Sequence, residues 1–159
     1  MKEAVDKPRK PICKNRRARH NYQIDETWEA GLALQGSEVK SLRAGKANLS
    51  DAYVRVKGNE LWLLKAHISP YEAARDGGHE PERERKVLMH RREITRLRIK
   101  LRERGFTMIP LELYWSGGRA KVNLGLAKGK RAYDKRHAIA KREMDRSLAK
   151  ITRRHQRGR

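Results

Sequence analysis

From Tyr22 to Leu34, apolar side chains fall on every second residue. Tyr22 and Ile24 alternate, Asp25-Glu26 marks a turn, and Trp28, Ala30, Leu32 and Leu34 alternate again. A period of two buries one face of an extended chain, so this stretch predicts two short strands with Glu29 and Gly31 on the opposite face. Gly36 to Arg43 changes period. Ser37 suits a helix cap, Glu38 the first turn, and Val39 and Leu42 share one helical face before Gly45 supplies the stop. The other face holds Lys40 and Arg43, followed by Lys46. Ala52, Val54 and Val56 alternate with Tyr53, Arg55 and Lys57, and Gly58-Asn59 turns the chain into Leu61–Leu64, which predicts a hairpin that Pro70 closes off. Residues 71–80 are a loop. Pro81 suits a first helical turn, and Glu82 to Arg104 predicts helix with a break near His90-Arg91-Arg92. Its apolar positions are Val87, Leu88, Ile94, Leu97 and Leu101. Strands return from Phe106 to Gly129. Met108, Leu111, Leu113 and Trp115 precede the turn at Ser116-Gly117-Gly118, and Ala120, Val122, Leu124 and Leu126 follow it. Pro110 points to an edge or a bulge.

About six short antiparallel strands with helices inserted between them predict a β-rich fold, a closed or partly open barrel. Residues 15–129 form this barrel. Residues 1–14, basic and broken by Pro8 and Pro11, read as a disordered arm. Residues 130–159 hold twelve Lys/Arg against three acids, with sparse apolar positions at Ile139, Met144, Leu148 and Ile151. Such a tail buries too little to fold alone, and is expected to be disordered, or helical when bound.

Charge decides the partner. The 159 residues include 40 Lys+Arg and 19 Asp+Glu, a formal net charge of +21. Self-repulsion on that scale calls for a polyanion, and nucleic acid is the first candidate because neutralised phosphates release counterions. An anionic membrane surface and a merely soluble basic protein are the alternatives. No apolar run approaches the roughly 20 residues of a membrane span, and the basic N-terminus lacks the apolar stretch of a secretory signal. A single cysteine, Cys13, excludes an intrachain disulfide and suits a reducing cytoplasm. The six histidines show no metal-ligand spacing, and no nucleophile is paired with an oriented base, so neither a metal, a cofactor nor enzymatic catalysis is expected. Trp28, Trp62 and Trp115 suit the core. Tyr22, beside the basic arm, suits either half-buried packing at the barrel rim or stacking on an exposed base, and Tyr133, inside a basic run, suits stacking. Glu29 is an acid among basic elements. It could accept from a base amino group or orient a neighbouring Arg.

The motifs are specific. Asn15-Arg16-Arg17-Ala18-Arg19-His20, Trp28-Glu29-Ala30-Gly31-Leu32, Gly36-Ser37-Glu38-Val39-Lys40-Ser41-Leu42-Arg43, Gly45-Lys46-Ala47-Asn48-Leu49, His67-Ile68-Ser69-Pro70-Tyr71, Arg83-Glu84-Arg85-Lys86, Gly125-Leu126-Ala127-Lys128-Gly129-Lys130 and Tyr133-Asp134-Lys135-Arg136 follow in order. Together they resemble small protein B, the SsrA-binding protein family of bacteria, over nearly the whole chain. The resemblance implies an oligonucleotide-binding-type (OB-like) barrel with added helices, and a partner, the tRNA-like domain of transfer-messenger RNA. It also implies a process, trans-translation, in which a ribosome stalled on messenger without a stop codon is freed and its nascent chain tagged. The face implied to grip RNA includes Asn15, Tyr22, Glu29, Lys40, Arg43, Lys86 and Leu88. Arg16, Arg17, Arg19, Ser41, Lys46 and His90 join it, and Lys121, Asn123 and Lys128 are added on spacing alone. The tail is implied to enter the vacant messenger channel and the small-subunit decoding site, with Gly129, Lys130, Arg131, Tyr133, Asp134, Lys135, Arg136, Lys141, Arg142 and Ile151. A monomer is expected. Tyr133 stands where family members often have His, and His90 where some have Asn. A ribosomal protein or a general basic RNA chaperone is the alternative that composition alone does not separate.

Overall fold

The computed structural model describes residues 8–75, 77–103, 105–130 and 132–157, with side chains except at 132–134 and 155–157. Strand β1 is Arg9–Lys14, helix α1 Ala18–Asn21, strand β2 Tyr22–Leu32 and helix α2 Gly36–Arg43. Strands β3 (Ala47–Asn48), β4 (Tyr53–Lys57), β5 (Glu60–Leu64), β6 (His67–Ile68) and β7 (Arg85–Leu88) follow, then helix α3 (Arg91–Leu101), strands β8 (Phe106–Ser116) and β9 (Arg119–Gly129), and helix α4 (Ala132–Arg157). Antiparallel pairings run β8-β4-β5-β7-β2-β9 and return to β8. Six strands therefore form the expected ring. Its thinnest seam is β4 on β8, where Val54 lies opposite Met108. β1 continues along the same edge of β8, and β3 and β6 pair separately.

Leu61, Leu63, Val87, Met108, Leu113, Val122 and Leu124 fill the interior, each from the inward set of its strand. Leu42 of α2 and Leu97 of α3 add to this core from the two longer inserted helices. A smaller second core of Ala18, Ile109, Leu111 and Ala127, with Tyr22, Ile24 and Tyr53 against it, lies outside the first. It explains why β8 is buried without interruption from Met108 to Leu111. Gly125 is required there, because a Cβ would stand 3.0 Å from Leu111 and 3.2 Å from Ile24.

Several expectations change. The two strands expected between Tyr22 and Leu34 are one long strand. Asp25-Glu26 is a bulge, a register shift between Ile24 and Glu26, and it replaces the turn. Residues 9–14 are not a disordered arm but an edge strand. Pro11 is tolerated there beside a register shift, and Ile12 and Cys13 reach the core. Burial pushes the Cys13 thiol up to about 11. Residues 85–88 are a strand, not the start of a helix. Adjacent Val87 and Leu88 follow a period of two, with Val87 buried and Leu88 49% exposed. The α2 cap is Gln35 rather than Ser37, in a reciprocal capping box with Glu38. Trp28 and Trp115 pack against the core, whereas Trp62 is half-buried with the Lys57 ammonium 5.7 Å from its ring centroid. Residues 132–157 of the tail are one helix. Met144, Leu148 and Ile151 share a face, while Ile139, five residues before Met144, lies well off it.

Candidate nucleic-acid interface

Strand register sets the first part of the surface. Glu29 of β2 lies opposite Asn123 of β9, and Gly31 opposite Lys121. Ala30 and Val122 between them point into the core, so Glu29, Lys121 and Asn123 share the outer face. The Lys121 ammonium donates to Glu29 at 2.6 Å, the Tyr114 hydroxyl donates to the same carboxylate, and the Arg9 guanidinium stands 3.5 Å away. Arg9 also lies over the Tyr114 ring, 5.0 Å from its centroid. The hydrogen bonds from Lys121 and Tyr114 hold the Glu29 carboxyl below its ordinary range. Burial, then Glu29 itself, pushes the Tyr114 hydroxyl well above its own. Glu29 is thus a fixed anion that aims two cations, the second of the roles open to it on sequence. An open cleft of about 810 Å³ runs from Glu29 and Gly31 past Leu88 and His90 to Arg119 and Lys121. Lys86 pairs with Glu60 at 2.7 Å and lines an adjoining cleft that shares Leu88.

Helix α2 holds the next group. Glu38, fully buried, accepts from Arg83 at 2.8 Å and from Arg85 at 2.7 Å, and its second role is to cap Gln35 at 2.7 Å. Arg85, also fully buried, spends its remaining donors on the carbonyls of Ala66 and Pro81. Burial works to raise the Glu38 pKa, but Arg83, the Gln35 N–H and Arg85 outweigh it and leave the group lowered. This network ties α2 to β7 and leaves Lys40, Arg43 and Lys46 exposed on the outer side. Lys40 lies 5.1 Å from the Tyr71 ring centroid.

Two expected contact residues are internal. Asn15 is buried and its amide donates to the carbonyls of Leu49 and Pro110, at 3.1 and 2.9 Å. Ser41 is buried and donates to the Ser69 carbonyl at 2.7 Å. Both brace the surface from within.

A separate group lies toward the other end of β9. Lys121 and Lys128 are seven residues apart, about 23 Å along a strand. Tyr22 is half-buried and lines an open cleft of about 680 Å³ with Asn15, Arg17, Tyr53 and Lys65. Packing and a partly open ring therefore coexist at Tyr22. Arg16 and Arg19 are exposed nearby. Lys128 lies 4.3 Å from the Phe106 ring centroid. Gly129 pairs with Tyr22, and Lys130 donates through its backbone to Asn21 and through its ammonium to Arg19, at 2.9 and 2.7 Å. The tail leaves from this end. Along α4, Arg136, Lys141 and Arg142 are exposed and Lys135 half-buried. Ile151 is 56% exposed. Arg131 and the side chains of Tyr133 and Asp134 lie outside the described residues.

Sequence reasoning missed Arg9, Tyr114 and Arg119. Arg9 sits in a segment whose prolines and charges suggest disorder. Tyr114 falls between the two apolar marks Leu113 and Trp115. The β8–β9 and β2–β9 registers bring Tyr114, opposite Lys121, to Glu29, and the β1–β8 register, with Arg9 opposite Ser116, adds Arg9. Among the described residues no cluster of His, Cys, Asp and Glu fits a metal ion, and no helix is long and apolar enough to cross a membrane.

Residues 12–154 match the family model described as SmpB protein. The SsrA-binding protein of Desulforudis audaxviator is 58% identical over 92% of this chain and 95% of its own. The SsrA-binding protein of Symbiobacterium thermophilum is 57% identical over 90% and 91%. A solved chain, from a structure described as "tmRNA-SmpB: a journey to the center of the bacterial ribosome", superposes with a TM-score of 0.66. It is 47% identical and covers 81% of this chain and 94% of the solved one.

Proposed function

The chain belongs to the SmpB family, which is RNA-binding, and from that premise we propose that it binds transfer-messenger RNA and brings it to stalled ribosomes for trans-translation. The observation that supports this reading in the chain itself is the aimed cluster of Lys121 and Arg9 on Glu29, beside exposed Leu88 and His90. Fixed cations give register on a phosphate backbone, and exposed apolar and imidazole groups suit unstacked bases. The action is positional. The protein makes and breaks no bond, works in the cytoplasm as a monomer, and needs no cofactor. Its barrel holds the tRNA-like domain, while α4 enters the empty messenger channel toward the decoding site.

Filter binding to a transcript of the tRNA-like domain over a salt series tests the division of roles. Lys40→Ala and Arg43→Ala are each expected to weaken binding and to lower the slope of log affinity against log salt by about 0.7–0.9. An unchanged slope removes these residues from the interface. Glu29→Ala is expected to reduce the preference for this RNA over an unrelated duplex with little loss of slope, because it disorders Lys121 and Arg9 without removing a cation. Labelled RNA incubated with the protein is expected to stay intact, and cleavage would contradict the non-enzymatic reading.

A further inference from the structure

Helix α3 divides its cations by face. Leu97 is fully buried, and Ile94 and Leu101 pack against the core on the same side. Toward the barrel, Arg98 donates to Asn59 Oδ1 at 2.9 Å and Lys100 pairs with Glu26. Away from it stand Arg92 and Arg96, both exposed, with Ile99 at 61% exposure, while Arg91, also exposed, lies on the flank seven residues before Arg98. Arg92, Arg96 and Ile99 are spaced i, i+4, i+7, which is one face. The guanidinium groups of these three arginines make no hydrogen bond or ion pair with a described residue, and the one side-chain contact to their backbone is the Thr95 hydroxyl on the Arg91 carbonyl.

That arrangement is locally unfavourable. Arg91 and Arg92 occupy the first turn, where the helix dipole disfavours cations, and Arg92 and Arg96 repel each other across one turn. The only first-turn acid, Glu93, caps the His90 backbone N–H. Uncompensated departures of this kind are expected where function requires them. Arg91, on the flank between this face and the barrel, lines the same small cleft as Lys86 and Leu88, and so links the face to the interface described above. The planar fork of arginine matches phosphate oxygens in pairs.

We propose that the outer face of α3, through Arg92 and Arg96 with Arg91 on its flank, is a second, sequence-independent contact with the phosphate backbone of the RNA gripped at the Glu29–Leu88 cleft. This rests on the RNA-binding reading. The test is binding of the full chain to a transcript of the tRNA-like domain across a salt series, comparing wild type, Arg92→Gln/Arg96→Gln and Lys121→Ala, with melting temperatures alongside. The double variant is expected to bind roughly tenfold more weakly near 0.1 M salt, to lose about 1.5 units of salt slope, and to melt no lower than wild type. An unchanged affinity and slope, with Lys121→Ala still weakened, overturns the α3 contact alone. A double variant that melts much lower assigns the arginines to the fold and overturns it too. Absence of wild-type binding overturns both this inference and the reading beneath it.

Discussion

A chain ending at Lys130 is expected to keep its affinity for the tRNA-like domain within a few-fold and to lose tagging on stalled ribosomes entirely. The barrel is complete by Gly129, where β9 ends opposite Tyr22, and retaining Lys130 keeps its hydrogen bonds to Asn21 and Arg19. Helix α4 gives the core little. Met144, Leu148 and Ile151 are 68%, 57% and 56% exposed, so no large apolar area returns to water when the helix is removed. What goes is a basic rod of 26 residues, about 39 Å long. That length suits a channel better than a surface patch. Affinity is read by filter binding and tagging by incorporation of the tag peptide in a reconstituted stalled reaction. Equal loss of both contradicts the separation of barrel and tail.

Glu38→Ala is expected to be the most destabilising single change in the network beneath α2, by about 3–5 kcal/mol, because it leaves the fully buried Arg85 charge without its counter-ion. In thermal melts this corresponds to roughly 10–20 °C for a domain of this size. The effect reaches function because the same carboxylate caps α2 and ties it to β7, and α2 presents Lys40 and Arg43. Acid should reproduce part of it. The folded Glu38 carboxyl is held below its unfolded value, so its contribution is complete above about pH 4.3 and is lost as pH falls through the lower folded value. The acid-side fall in melting temperature should therefore be shallower in the variant than in wild type. A variant that melts within about 1 °C of wild type would show that the network is not what secures α2.

What the sequence disclosed depended on how each strand is buried. The β4–β5 hairpin and the β8–β9 turn were legible because glycines mark the reversals and apolar residues fall on every second position of β4 and β9 beside them. β7 was not, because its outward Leu88 is as apolar as its inward Val87. An exposed leucine erases the alternation that would have revealed the strand. β1 was hidden by Pro8, Pro11 and its cations, all of which an edge strand tolerates. In the site, the family resemblance points to Glu29, Leu88 and His90 and spacing to Lys121, and the structure brings them to one cleft. Arg9 and Tyr114 were out of reach, since their proximity to Glu29 comes from strand pairing between segments far apart in the sequence. Asn15 and Ser41 were named as contacts, and their burial gives them a bracing role that no spacing discloses.

The most direct test of RNA choice is to recover RNA bound to the full-length protein from a bacterial extract, wash in high salt, and sequence it. Enrichment of transfer-messenger RNA is expected, with ribosomal RNA depleted by the wash, and that enrichment is expected to be lost in Glu29→Ala. Retention on ribosomal subunits through high salt, without transfer-messenger RNA, would contradict that expectation and point to a ribosomal protein instead.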